Sequence, residues 1–416
     1  MKKTSYLNLN YKPDLNNEII AEYYLESSLP LAEVAQEIAA ESSIGTWTKL
    51  STLTDKTFQA LAPQIFFIHP PSGTVKIAYP LALFETASIP QLLSALAGNI
   101  YSMKAVGHLR LNDLIFPDKY LKNFTGPAFG IEGIRKMLNI KNRAIIGSII
   151  KPKVGLSALE HAKLSYAVWS NGVDLVKDDE NLTDMSFNRF NDRVDKVMFY
   201  LKKAEKETGQ KKIHAFNITG LPDVMLNRAK YVKKHGGKCV MVDIVSIGLD
   251  SVQYLRKQNL GLIIHGHRAG HAMFTREKNE GMSMLVLAKL ARMAGVDQLH
   301  TGTVVGKMEG TAEEVLSINK ALQIKWGKSN LKPVLPIASG GLHPGLVKPL
   351  IKILGNDLIV NFGGGLHGHP GGSTAGAKAC YQAVMSAKDK TFNPKKYPEL
   401  EIALQKWPVT HATKDY

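Results

Sequence analysis

Cysteine is the scarcest residue of this chain, with only Cys239 and Cys380 among 416 residues. The two lie far apart and lack the paired spacing that zinc sites use. The sequence therefore offers neither a disulfide framework nor a cysteine-ligated metal. We expect both thiols to be small buried groups in a protein of the reducing cytoplasm.

Long apolar runs are missing as well. No stretch approaches the run of about 20 apolar residues that a membrane-spanning helix needs. Lys2 and Lys3 follow the first methionine without an apolar segment after them, so we expect no secretory signal and no membrane partner. Hydrophobic content of 44% and charged content of 21% are typical of a globular protein, and the length suggests two domains.

Acidic residues are outnumbered, with 36 Asp and Glu against 52 Lys and Arg and a formal net charge of +16. A basic nucleic-acid-binding protein is therefore one alternative. The lysines, however, come in scattered pairs, and no basic stripe interleaved with aromatic residues appears. We expect no nucleic-acid partner, and a Lys-rich surface that favours the approach of an anionic substrate.

What the chain does have is a regular alternation of strands and helices after about residue 144. Ser157 and Glu160 form a capping box ahead of a predicted apolar helix face of Leu159, Ala162, Tyr166 and Trp169. Eight such units predict an α/β fold whose main domain is a closed (β/α)8 barrel. The predicted strands are 144–151, 174–179, 212–219, 239–246, 261–267, 298–304, 334–339 and 358–362.

Three domains are expected on this basis. Residues 1–125 mix strand and helix patterns and form a smaller α+β domain, residues 126–390 the barrel, and residues 391–416 a helical tail. Glu18 to Leu25 is a predicted strand of the first domain.

The second barrel strand ends in an unusual run of charge, Lys177, Asp178, Asp179 and Glu180. Four charges cannot share a dry strand end unless something neutralises them. Mg²⁺ held by carboxylate oxygens would do so, and a neutral Lys177 could react with CO2 to give a carbamate as a third oxygen ligand. Strand alternation puts Lys177 and Asp179 on one side, and Glu180 can join them where the strand ends and the chain turns, so that Asp178 points away. The alternative is a solvated cluster of ion pairs on a loop.

The ends of other predicted strands carry polar residues, which is where barrel enzymes place their chemistry. His267 and Arg268 end the fifth strand and supply a possible acid–base group and an anion clamp, whereas His265 in its apolar run is expected to be a core histidine. The glycines that end strands seven and eight would let backbone N–H groups approach a phosphate. Residues 303–310 resemble a mobile lid with one lysine, Lys307, near its tip; an exposed loop lysine is the alternative.

The His-x-His pair of the fifth strand, together with a modifiable lysine, also suggests a metal-dependent hydrolase. In that pattern the pair lies on the first strand and the lysine follows it. Here the order is reversed, so we reject this alternative.

Taken together, these motifs resemble the large subunit of the ribulose-1,5-bisphosphate carboxylase/oxygenase (RuBisCO) family, in particular its archaeal form III type. The likeness runs in order over most of the chain and includes features of the N-terminal domain. The residues that carry it are 41–48 (ESSIGTWT), 98–99 (GN), 130–135 (GIEGIR), 151–153 (KPK), 172–180 (GVDLVKDDE), 188–190 (NRF), 267–268 (HR), 300–307 (HTGTVVGK), 339–344 (SGGLHP) and 362–365 (FGGG).

The resemblance implies a ferredoxin-like N-terminal domain, a homodimer or an oligomer of dimers, and no small subunit. It implies Mg²⁺ as cofactor, an activator CO2 held as a carbamate on Lys177, and ribulose 1,5-bisphosphate, CO2 and O2 as reactants. The carbamate, with Asp179 and Glu180, would hold Mg²⁺ and abstract the proton that gives the enediolate. Lys151 would transfer protons, His267 would assist hydration, and Lys307 would hold the new carboxylate.

The same resemblance implies a set of substrate-binding residues. Each of the two phosphates would be bound by its own set of residues. Ser339 and Gly340 would lie near the sugar, and Lys153 would support Lys151. A neighbouring subunit would supply Glu41, Thr46, Trp47 and Asn99. The residues that would bind the first phosphate are Thr46, Trp47, Gly341, Gly363 and Gly364, and those that would bind the second are Arg268 and His300.

The chain departs from plant-type relatives at Ile149, Gly270, Leu366 and His367. These departures affect the expected substrate affinity and CO2/O2 discrimination rather than the reaction class. The alternative within the family is a non-carboxylating enolase or isomerase on another phosphosugar. Such proteins usually lack several catalytic or phosphate-binding residues, and here none is missing.

Overall fold

The computed structural model describes residues 5–46, 48, 50–305, 311–387, 393 and 396–409. Contacts between Cα atoms group the chain into two compact units: Met1–Thr125, Gly270–Ala294 and Lys325–Leu331 form the first, and Gly126–Ala269, Gly295–Ile324 and Lys332–Tyr416 the second. None of the helices in the described part has the length and apolar content that a membrane crossing requires.

The strands of the described residues, in chain order, are β1 Glu18–Glu26, β2 Gln64–His69, β3 Thr74–Pro80, β4 His108–Ile115, β5 Ile145–Ile149, β6 Leu175–Lys177, β7 Ile213–Asn217, β8 Cys239–Asp243, β9 Ile263–His267, β10 Gly281–Met282, β11 Gln298–His300, β12 Leu335–Ser339 and β13 Ile359–Phe362.

The α-helices of the same residues are α1 Leu31–Glu41, α2 Asp55–Leu61, α3 Ile89–Leu96, α4 Asp118–Leu121, α5 Gly130–Leu138, α6 Ala158–Trp169, α7 Phe190–Thr208, α8 Pro222–Lys234, α9 Leu249–Lys257, α10 Ala272–Thr275, α11 Met284–Ala294, α12 Ala312–Gln323, α13 Val347–Leu354, α14 Gly364–His367, α15 Gly372–Ser386 and α16 Pro398–Lys406. Short 3-10 helices span Pro70–Ser72, Leu81–Leu83, Asn99–Ser102 and Pro344–Leu346.

The first unit contains a five-stranded sheet in the order β10-β4-β1-β3-β2. Strand β1 pairs antiparallel with both β3 and β4, while the two-residue β10 adds to β4 in parallel. Without β10, the order of the first four strands is 4-1-3-2, with helices between β1 and β2 and between β3 and β4. This is the ferredoxin-like arrangement that the resemblance implies.

The second unit contains a closed parallel barrel in the order β11-β12-β13-β5-β6-β7-β8-β9. Its eight strands are those that the sequence predicts, each within the predicted bounds. The observed strands are shorter at most ends. Of the charged run, only Lys177 lies within the second barrel strand, β6, and Asp178 to Glu180 follow the end of that strand.

The N-terminal half of the barrel interior is apolar. Residues near the start of each strand, such as Ile145, Leu175 and Ile213, are almost fully buried, and Ile134 and Leu138 of α5 join the same cluster. Since burial of apolar surface stabilises the fold and the opposite strand ends carry the polar residues, stability and chemistry are separated along the barrel axis.

Helix α6 corrects one detail of the sequence analysis. The capping box of Ser157 and Glu160 is present, but Leu159 is 40% exposed, whereas His161 is buried. The predicted apolar face is therefore wrong at Leu159. His161 lies on the inner face of the helix instead, where Nε2 of its imidazole is close to a carboxylate oxygen of Asp178.

Candidate active site

Lys177 is the buried centre of the charged run after β6, with none of its surface exposed to solvent. Its ammonium nitrogen Nζ donates to the carbonyl oxygen of Asp178 at 2.9 Å and lies 3.7 Å from Oε2 of Glu180. Burial lowers the pKa of Lys177, although the nearby carboxylates of Glu180 and Asp179 oppose that shift. A lowered pKa increases the neutral amine fraction, which is the form that reacts with CO2.

The two carboxylates that flank Lys177 are each held by lysines. Lys151 Nζ lies 2.9 Å from Oδ2 of Asp179, and Lys153 Nζ lies 3.5 Å from Oε1 of Glu180. Burial raises the pKa of Glu180, but Lys177 and the neighbouring His267 outweigh it and bring the value down to about 2. Both acids are thus ready oxygen donors.

This donor set fits a hard divalent cation once Lys177 is modified. As an ammonium, Lys177 would repel a metal, and two carboxylates alone offer few oxygen ligands. Conversion to a carbamate replaces a positive charge with a negative one between Asp179 and Glu180. That change leaves a concentration of buried negative charge that a divalent cation would balance.

Asp178 points away from this cluster, as strand alternation predicts, into a second buried network. Its Oδ2 accepts hydrogen bonds from Nε of Arg193 and from the backbone N–H of Asn217, both at 3.0 Å, and its Oδ1 lies 2.8 Å from Nε2 of His214. His161 completes the set, with Nε2 3.2 Å from the same Oδ1.

Within the described residues, His161, Asp178 and His214 bring three possible metal-ligating atoms within 4.8 Å of one another. The guanidinium of Arg193 already neutralises the carboxylate there, with both side chains fully buried. We therefore assign this group to an ion-pair network that fixes the strand end rather than to a metal centre. This network could not be predicted from the sequence, because its members lie in different elements and meet only through tertiary packing.

His267 faces the Lys177 cluster from the end of β9. Its Nδ1 lies 2.8 Å from Oδ1 of Asp243, and its Nε2 lies 3.6 Å from Oε2 of Glu180. Because burial lowers the pKa of His267, the ring is neutral, and Nδ1–H is donated to the carboxylate. The free lone pair at Nε2 then points towards the cluster, where it can accept a proton. Sequence reasoning missed Asp243, although an acid at the end of a barrel strand was a usable signal.

Arg268 and His300 lie beside this histidine at the same end of the barrel. Burial lowers the pKa of Arg268 to about 10, which leaves the guanidinium charged at neutral pH. The rings of His267 and His300 lie 4.6 Å apart between centroids. Both ring nitrogens of His300 are engaged by protein groups, His265 and Ser339, so a phosphate could bond to it only if one of those contacts gave way.

Two glycine turns close this end of the barrel after β12 and β13. Gly340 and Gly341 have positive φ angles of 109° and 66°, which only glycine adopts readily. A Cβ atom on Gly365 would lie 2.0 Å from the carbonyl oxygen of Leu342, so the second turn packs directly on the first. By contrast, a Cβ on Gly364 would meet no atom of the described residues within 4 Å. The turns thus leave open space beside backbone that a phosphate could approach.

Comparison with known families agrees with this geometry. Residues 130–407 match the family of the ribulose bisphosphate carboxylase large chain, catalytic domain, and residues 5–120 match its N-terminal domain. The chain belongs to the RuBisCO large-chain family. Membership implies a metal centre and a carbamylated lysine in general.

Individual RuBisCO relatives match over nearly the whole length. The ribulose bisphosphate carboxylase of Pyrococcus abyssi is 48% identical over 97% of this chain and 96% of its own. The octameric RuBisCO of Pyrococcus horikoshii, solved with sulfate ion, superposes with a TM-score of 0.93 at 46% identity, covering 98% of this chain and 97% of that one. The dimeric archaeal RuBisCO of Hyperthermus butylicus gives a TM-score of 0.90 at 40% identity, with 97% and 99% covered. The archaeal resemblance is confirmed.

Three of the departures from plant-type RuBisCO have local explanations. Nε2 of His367 lies 3.1 Å from the carbonyl oxygen of Ile149, so two of the altered positions contact each other. Burial lowers the pKa of His367 to about 4, which keeps the ring neutral. Gly270 has a φ of 81°, a conformation that residues other than glycine rarely adopt. Leu366 is fully buried.

The remaining residues that the RuBisCO resemblance predicts lie in the first unit or outside the described residues. Glu41, Thr46 and Asn99 lie in the first unit, where Nδ2 of Asn99 donates to Oε1 of Glu41 at 3.3 Å. Trp47 and Lys307 lie outside the described residues, as does the tip of the predicted lid.

Proposed function

We propose that this chain catalyses the Mg²⁺-dependent enolisation and carboxylation of ribulose 1,5-bisphosphate by CO2 to two 3-phosphoglycerates, with competing oxygenation. It is a carbon–carbon lyase of the ribulose-bisphosphate carboxylase class. The observation that carries the proposal is the fully buried Lys177 beside two carboxylates at the C-terminal end of the barrel. Relatives named as ribulose bisphosphate carboxylases match the chain over nearly its full length.

Activation begins with the neutral amine of Lys177. Its lone pair would attack the carbon of CO2, one N–H proton would pass to solvent water, and the resulting carbamate would join Asp179 and Glu180 as an oxygen donor for the metal. Mg²⁺ bound there supplies polarisation of the sugar oxygens and stabilises the anion that forms. The carbamate oxygen of Lys177 then accepts the proton whose loss turns the bisphosphate into an enediolate.

Four other side chains move or hold protons and charge. Lys151, tethered to Asp179 and 26% exposed, is placed to transfer a proton near the reacting carbons, with Lys153 supporting it. His267 has an unprotonated Nε2 and assists hydration of the carboxylated product. Lys307 is assigned to hold the new carboxylate, as in the family.

The two phosphates are assigned to opposite sides of the barrel mouth. Gly341, Gly363 and Gly364 offer backbone N–H groups to one phosphate, and Arg268 offers its guanidinium to the other. His300 lies beside Arg268 and keeps its ring nitrogens on His265 and Ser339. Ser339 and Gly340 lie near the sugar. Thr46 and Trp47 would complete the first phosphate site, and with Glu41 and Asn99 they are assigned to a neighbouring subunit. The smallest active unit is then a homodimer in the cytoplasm, in line with the dimeric and octameric relatives.

The test is fixation of labelled CO2 by the purified protein after incubation with CO2 and Mg²⁺. The unmodified protein should fix label onto ribulose 1,5-bisphosphate, and Lys177→Met should fix none. Lys212→Met is a matched control, because Lys212 is another buried lysine, bonded to the carbonyl oxygen of Val173 at the opposite end of the barrel strands. It should retain activity as long as it folds. Metal-dependent proton exchange without fixation would overturn the carboxylase assignment.

A further inference from the structure

A chain of four polar side chains runs from the barrel core to its mouth. Nδ1 of His265 lies 2.8 Å from Oε1 of Gln298, and Nε2 of His265 lies 2.9 Å from Nε2 of His300. Nδ1 of His300 in turn lies 2.7 Å from Oγ of Ser339. The first three members are at most 3% exposed, and only Ser339 reaches the mouth.

The direction of these hydrogen bonds follows from the acceptor at the buried end. An amide oxygen only accepts, so Gln298 requires a proton on Nδ1 of His265. Burial lowers the pKa of both His265 and His300 well below the ordinary value, so each ring carries a single N–H. Nε2 of His265 must then accept from Nε2–H of His300, and Nδ1 of His300 must accept from the hydroxyl of Ser339.

The hydroxyl proton of Ser339 is therefore committed to His300, and only its lone pairs remain for a ligand. We propose that His265 and Gln298 are positioning residues that make Ser339 a pure hydrogen-bond acceptor, so that this position selects a substrate hydroxyl rather than a carbonyl or ether oxygen. The inference rests on the proposed function, since that assignment places Ser339 beside the sugar. His265 thus acts on the substrate through two intervening side chains.

Selection of this kind has a physical basis. A site built to bond a hydroxyl discriminates strongly against an analogue that lacks it, because buried polar groups are then left without partners. The opposite orientation of the Gln298 amide would reverse every hydrogen bond in the chain. Ser339 would then accept from His300, and its hydroxyl would be free to donate to a ligand. The proton positions on the two histidines therefore distinguish the two arrangements.

The first experiment is neutron diffraction on crystals of the unmodified protein exchanged into D2O. We expect deuterium on Nδ1 of His265, on Nε2 of His300, and on Oγ of Ser339 directed at His300. Deuterium on Nδ1 of His300 would overturn the proposal. This readout needs no catalysis, so it is independent of whether the carboxylase assignment holds.

The second experiment compares two replacements of His265 by labelled CO2 fixation. His265→Leu removes the acceptor for His300, frees that ring to change tautomer, and should raise the KM for ribulose 1,5-bisphosphate about tenfold with kcat within about twofold. His265→Gln can still present an amide oxygen to His300 and should restore most of the affinity. Equal losses of kcat in both variants, or no rescue by glutamine, would refute the positioning role. A wild-type protein that fixes no CO2 would instead refute the proposed function.

Discussion

Replacing Asp178 by asparagine should destabilise the protein by about 3–5 kcal/mol, the usual cost of removing one partner from a buried ion pair. Asp178 and Arg193 are both fully buried and lie 3.0 Å apart, so the variant would leave the guanidinium without a counter-charge. His214 cannot compensate, because burial lowers its pKa to about 4 and it is neutral at pH 7.

The same change has a pH signature. Burial raises the pKa of Asp178, but Arg193 and His214 outweigh it, and the folded-state pKa falls well below the ordinary value of 3.8. A carboxyl whose folded pKa is depressed contributes stability that is present above its unfolded pKa and is lost as the pH falls towards the folded value. As the pH falls below about 4, the free energy of unfolding should therefore decrease less for Asp178→Asn than for the wild type.

Urea unfolding at matched protein concentration measures both effects, from the midpoint and slope of the transition. Asp192→Asn is the control, because its ion pair with Lys196 lies at the surface, and it should change stability by about 0.5 kcal/mol or less. The double variant Asp178→Asn with Arg193→Met should recover part of the loss, since it removes the unpaired charge as well. A loss below about 1 kcal/mol for Asp178→Asn would show that Arg193 does not depend on Asp178 for its counter-charge.

Two further predictions concern the mouth of the barrel. Asp243→Asn removes the carboxylate that orients His267, so kcat should fall about 100-fold in the CO2 fixation assay while the fold is retained; an unchanged kcat would contradict that role. Gly365→Ala places a methyl group 2.0 Å from the carbonyl oxygen of Leu342 and should lower the melting temperature, whereas Gly364→Ala, with open space around its Cβ, should not. Equal melting temperatures would show that the two turns do not pack as described.

The barrel could be predicted from the sequence because most of its strands are local runs rich in apolar, β-branched residues. The charged run at Lys177 was visible for a similar reason, since its four charged residues are consecutive in the sequence. The partners of Asp178 were not visible, because Arg193 and His214 approach it only through tertiary packing. Likewise, the grouping of residues 270–294 with the first 125 residues depends on contacts between distant segments.

Lys177 should become a metal ligand by reacting with CO2. Crystals grown with CO2 and Mg²⁺, and others grown without either, would test this by the electron density at the end of the side chain. We expect a carboxylate group on Nζ and a metal shared with Asp179 and Glu180 in the first crystals, and a bare amine in the second. A bare amine in both, from protein that still fixes CO2, would show that activity does not need a carbamate on Lys177.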